Sequence, residues 1–269
     1  MKLSSISLAS LAIAAEAGVN AQGHPSGRQI PTSYESAVLG RRILALTPLG
    51  TLATTFPEAD DKYKARENRP DHLGGMPHVL MEYVADCEDN GNPTFLAINV
   101  ETTFKNVRDG SNISLAQQWT PPYPPDKRIQ FSNDADPSFL LNWLGPSEDE
   151  HETVPYSAAN LPRYSLLGYL EKIENDADSA LAECFVKKHP DARLWLPGSR
   201  VHVSQFMRLV VQHVYWIGGF GDRSHIGWIP VEEWKRVTRK EWESVTLPGE
   251  KKGWDEQAPA ARRGGGGEL

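Results

Sequence analysis

The chain has 269 residues, 39% of them hydrophobic and 23% charged, which is ample for one domain with a full core. Its formal net charge of −7 argues against the basic surface that nucleic-acid binding requires. Twenty-two glycines and twenty prolines, spread between β-branched runs, point to a loop-rich, mainly β (α+β) protein.

Residues 1–21 have the form of a secretory leader, with Lys2 as the positive start, an apolar stretch from Ile6 to Ala15, and small residues at Val19-Asn20-Ala21. That stretch is about ten residues long, too short to span a bilayer. The expectation is an exported protein, free of the membrane in its mature form and beginning near Gln22. Residues 22–34 form a polar linker, and a domain is expected over 35–246.

Helical spacing of Ala37, Val38, Arg41 and Leu44 predicts a helix over 34–45. A β-branched run at 50–56 predicts the first strand and 78–85 the second, with Val79, Met81, Tyr83 and Ala85 on one face. Asp89-Asn90-Gly91-Asn92 is a hairpin turn signal leading into a third strand at 94–100. A fourth is expected at 113–119. Residues 120–162, with the PPYPP run, read as a long insertion. Strand character resumes at 163–173, with Gly168 marking a bulge. A helix over 176–189 stops at Pro190. Two strands follow, at 201–214 and 215–229, then a short helix within 232–244 and a disordered tail over 247–269. Six or more strands joined by turn signals predict a closed antiparallel barrel.

The sequence lacks the G-x-S-x-G, H-E-x-x-H, Walker and Cys-x-x-Cys motifs. Its eight histidines show no metal-ligand spacing, although His202 and His213 are candidates for neighbouring strands. Cys87 and Cys184 are compatible either with one disulfide in an oxidising compartment or with a buried thiol on the 176–189 helix. Asn112-Ile113-Ser114 is a glycosylation sequon, and Asn92-Pro93-Thr94 is blocked by its proline. After the third strand, Asn99, Thr102, Thr103, Lys105 and Asn106 collect amides, hydroxyls and one cation, the donor set that a phosphate needs. The same residues could equally close a polar turn in solvent.

Three segments carry a family resemblance: GNPTFLAINVETTFKN at 91–106, PHVLM at 77–81, and HPDARLW at 189–195 with VYWIGGFGDR at 214–223. Together they resemble the FMN-binding split barrels of the pyridoxamine 5′-phosphate oxidase superfamily, most closely the secreted CREG-like branch. The likeness covers most of 37–245, omitting 120–162. It implies a split β-barrel homodimer with FMN at the subunit interface. Thr103 and Lys105 fall on the phosphate-contacting positions, and His78, Val79 and Met81 on the strand that lines the flavin ring. It also implies a glycan on Asn112. His78 stands where the oxidases have an arginine, and their adjacent basic pair is reduced to Lys105 beside Phe104. The resemblance therefore carries two functional expectations, a flavin-dependent oxidoreductase of unknown substrate and a cofactor-free secreted binding module. The 214–223 end adds heme handling as a third. The dimer is expected to cover an apolar face around 80–84 and 95–100.

Overall fold

A computed structural model describes residues 30–58, 69–124, 157–174 and 179–253. The leader, most of the linker, most of the expected insertion and the end of the tail lie outside the described residues.

The chain enters through α1 (Ser33–Leu46), opened by a capping box in which Thr32 and Glu35 exchange side-chain and backbone hydrogen bonds. Among the described residues seven antiparallel strands follow: β1 (Leu49–Thr55), β2 (Pro77–Tyr83), β3 (Thr94–Ile98), β4 (Ile113–Gln118), β5 (Arg163–Lys172), β6 (Ser204–Ile217) and β7 (Ile226–Ile229). Their order is β2-β1-β4-β5-β6-β3, with β7 on the same side of β6 as β3. Helix α2 (Thr102–Arg108) links β3 to β4, α3 (Ala180–Lys188) precedes β6, and α4 (Val231–Arg236) and α5 (Arg239–Ser244) follow β7.

The register arranges the side chains in rows. Leu80, Leu52, Leu115, Leu166, Val214 and Ile229 are successive cross-strand partners and point inward. All but Leu80 are buried, and each such side chain contributes about 1.5–3 kcal/mol relative to exposure. One residue along, Met81, Thr51, Ala116, Ser165, Tyr215 and Trp228 form the matching outward row. Alternate apolar and small or polar residues on these strands set the inside and the outside of the barrel. Helices α1, α4 and α5 add Ile43, Leu44, Trp234 and Trp242 to the inner core. A second core, around Leu181, Phe185 and Phe206, lies beneath α3.

The sheet does not close as a continuous ladder. Among the described residues a single bridge, between Ala85 and Thr94, joins its two edges, leaving β2 and β3 parted over the rest of their length. Full closure fails, and the architecture is the split form. At Gly168 the β5–β6 register shifts, as the glycine predicts. A Cβ there would stand 2.0 Å from Val210 O, so no other residue fits without displacing the backbone.

Three further expectations differ. Residues 201–229 do not make two similar strands, because β6 runs unbroken through Val214 and Tyr215, with β7 short beyond the Gly218–Gly221 turn. His202 precedes β6 and His213 sits on it, so the two do not face across neighbouring strands. The chain remains packed past Leu247: Trp119 Nε1 donates to Pro248 O at 2.6 Å, and Arg42 pairs with Glu250. Cys87 and Cys184 form a disulfide with Cα atoms 5.7 Å apart, which ties α3 to the β2–β3 connection.

Candidate functional site

An open cavity of about 420 Å³ lies where β1 ends, β2 begins and α2 starts. Its walls include Phe56, Arg69, His78, Val100, Thr102 and Lys105. Sequence reading expected residues 102–106 as a polar turn, but they form a short helix. Thr103 and Asn106 lie on the side of α2 that packs against the barrel, both buried. Asn106 Nδ2 donates to Thr54 Oγ1 of β1 at 3.1 Å. Burial of that side overrides the turn preference of Thr and Asn. Thr102 and Lys105, one turn apart, share the face turned to the cavity.

His78 enters from β2, opposite Thr54 in the register. Its ring meets Phe56 edge-on with centroids 5.3 Å apart, and the Arg69 guanidinium lies 5.4 Å from the Phe56 centroid. Burial, and then the Arg69 charge, lower the His78 pKa, so its imidazole is neutral at neutral pH. Its Nε2 has no hydrogen-bond partner among the described residues. Glu82 continues the inward face of β2, two residues past Leu80. Burial, and then the charge of Glu101, push it up to about 7. Glu101, immediately before Thr102, is also raised by burial, an effect offset in part by the Ile98 N–H.

Of the seven residues that sequence reading assigned to cofactor binding, the structure brings His78, Thr102 and Lys105 together. Val79 and Met81 point to the outer face and are exposed. Asn99 accepts from Arg108 through its side-chain and backbone oxygens, at 3.1 and 3.0 Å, and does not line the cavity. Thr103 is buried, and its hydroxyl has no partner among the described residues. Phe56, Arg69 and Val100 were not foreseen. Arg69 ends a charged stretch of sequence without periodicity, so its place follows only from the fold. Asn112, the glycosylation candidate, is exposed just before β4. The expected apolar interface is also redrawn. Val84, Phe95 and Ala97 belong to this chain's own core, while Met76, Val79, Leu80, Met81 and Val100 are exposed.

Among the described residues no group of three His, Cys, Asp or Glu side chains could hold a metal, and no helix is long and apolar enough to cross a membrane. The fold and cavity together define a mainly β split barrel with a cationic recess at the mouth between β2 and α2. The chain belongs to the family described as CREG, beta-barrel, whose profile matches residues 31–236. No curated protein sequence matches it. Among solved structures it is similar to a heme-binding protein from Mycobacterium smegmatis, with 19% identity and a TM-score of 0.47 over 77% of this chain and 61% of that one. It therefore spans less than two thirds of that protein's length. It is also similar to the heme storage protein HutZ from Vibrio cholerae, with 12% identity and a TM-score of 0.37 over 68% of this chain and 94% of that one. A FAD-binding protein from Mesorhizobium loti is 12% identical, with a TM-score of 0.34 over 64% of this chain and 87% of that one.

Proposed function

We infer that this chain is an exported split-barrel binding protein whose recess takes an anionic, planar cofactor, flavin mononucleotide, in a homodimer. The observation that carries the reading is the convergence of Arg69, Lys105, Thr102, His78 and Phe56, from four segments of the chain, on one cavity. A phosphate needs cations and a hydroxyl donor, which Arg69, Lys105 and Thr102 provide. The flat face of Phe56 and the neutral His78 ring suit an aromatic heterocycle better than a second charge. When bound, the flavin supplies electron-transfer chemistry, and the chain's own residues bind it, orient it and exclude water. The exposed Val79 and Met81 on the outer face of β2 give a second copy an apolar patch to cover.

The disulfide and the exposed Asn112 support export, since disulfides persist in oxidising compartments. Recovery of Met1 or Lys2 at the N-terminus of the mature protein would overturn export.

A second reading is a cofactor-free binding module. Burial of Thr103 favours it, because that hydroxyl cannot reach a ligand in the recess. The absorption spectrum of the purified protein, followed by an FMN titration monitored by flavin fluorescence, separates the two. Flavin bands or saturable quenching support the first reading. Neither signal supports the module, and a Soret band would replace both with heme binding.

A further inference from the structure

We propose that a second recess, on β6 and β7, is a binding site for a neutral saccharide. Among the described residues, strand β6 has no strand partner on one side between Arg208, where β3 pairing ends, and Val214, where β7 pairing begins. Residues 92–93 cover the first part of that edge, since Leu209 N donates to Pro93 O and Val211 N donates to Asn92 Oδ1, which leaves Gln212 and His213 uncovered before β7 begins. A cavity of about 380 Å³ lies there, floored by the buried Val214 and Ile229 and walled by Gln212, His213 and Trp228.

The lining chemistry selects the ligand. Trp228 is a large aromatic with 60% of its surface in solvent. Its ring is fixed by edge-on contacts to Tyr215, centroids 5.1 Å apart, and to His213, 6.3 Å apart. An immobilised, solvent-facing indole is a platform for a flat apolar surface, and it loses little entropy on binding. Among the described residues no Asp, Glu, Lys or Arg lines the recess, in contrast to Arg69 and Lys105 in the first cavity. The exposed Gln212 amide and His213 imidazole both donate and accept at the rim. A pyranose combines a face of C–H bonds for the indole with hydroxyls that need paired donors and acceptors. An apolar peptide or lipid would leave those two polar groups unused.

The test is an NMR titration of the full-length protein with triacetylchitotriose and with maltotriose, following the Trp228 indole N–H, which Trp228→Phe assigns. The expected result is saturable movement of that signal with at least one sugar. Trp228→Ala should weaken binding about tenfold or more, and Gln212→Ala by a smaller factor. Trp228 is exposed, so thermal melting and the signals of buried Trp216 and Trp234 should be unchanged in Trp228→Ala. The absence of saturable movement at millimolar sugar, or equal binding by Trp228→Ala, overturns the proposal. So does conversion of a dimer to monomer by Trp228→Ala without any sugar response, which would assign the shelf to a second copy of the chain. Binding of lumichrome but neither sugar overturns it in favour of a flat heterocycle.

Discussion

Arg41, fully buried in α1, donates from Nη2 to Asp86 Oδ2 at 3.1 Å. Its other terminal nitrogen donates to Trp234 O and Val237 O, so one guanidinium joins α1, the β2–β3 connection and the C-terminal helices. Desolvation raises the Asp86 pKa even though the Arg41 charge lowers it, so burial dominates and the pair depends on staying intact. Arg41→Met should destabilise the protein by about 3–5 kcal/mol in urea unfolding, because it leaves a buried carboxylate without its cation. Arg41→Met combined with Asp86→Asn should recover part of that loss. A double variant no more stable than Arg41→Met would show that the carbonyl contacts, not the charge pair, dominate.

The disulfide closes a long loop, since Cys87 and Cys184 are 97 residues apart. Cys184→Ser should cost about 2–5 kcal/mol. Amide exchange should rise most in α3, whose Leu181 and Phe185 hold the second core that the bond anchors. Exchange that rises first in β4 and β5 instead would place the constraint elsewhere.

Glu82 gives stability a pH dependence of defined sign. Its folded pKa is pushed up to about 7, from an ordinary 4.5, by burial and then by Glu101. The folded state therefore holds this proton more tightly than the unfolded state does. The resulting stabilisation is complete below about 4.5 and is lost as pH rises through about 7. Glu82→Gln should be more stable than the parent at pH 8 and should flatten the slope between those two values. Parallel stability curves for parent and variant would discard this role for Glu82.

The barrel was legible because alternation in a half-buried strand is a strong local signal, and Leu52, Leu115, Leu166 and Val214 each carry it. Gly168 was legible as a bulge for a similar reason, since a glycine within an apolar strand has few other uses. Helix α2 was not. Thr102, Thr103 and Asn106 prefer turns in isolation, and only packing of Thr103 and Asn106 against β1 makes the segment helical. The same rotation decided the site: it carried Thr103 into the core and left Thr102 with Lys105 at the cavity. Arg69 could not be found from sequence, because an arginine in a charged, aperiodic stretch has no pattern to mark it. Strand count and turn signals do not specify whether the last edge pairs, so the split form was legible only through the family resemblance.

The cationic recess makes the sharpest demand. If FMN binds there, Lys105 supplies charge to its phosphate, and a charge-assisted hydrogen bond is worth roughly 1.5–3 kcal/mol. Lys105→Ala should therefore weaken FMN about 10- to 150-fold, and Arg69→Ala should act in the same direction. Lys105→Arg should retain much of the affinity, although a planar fork replaces a point charge. Thr103→Val is the discriminating control. Its hydroxyl is buried without a partner among the described residues, so the change should leave FMN affinity unaltered and stability equal or higher. Flavin fluorescence titrations of the four variants, with melting curves beside them, measure all of this. A loss of FMN affinity in Thr103→Val with Lys105→Ala unaffected would reverse the assignment and place the phosphate against the core side of α2.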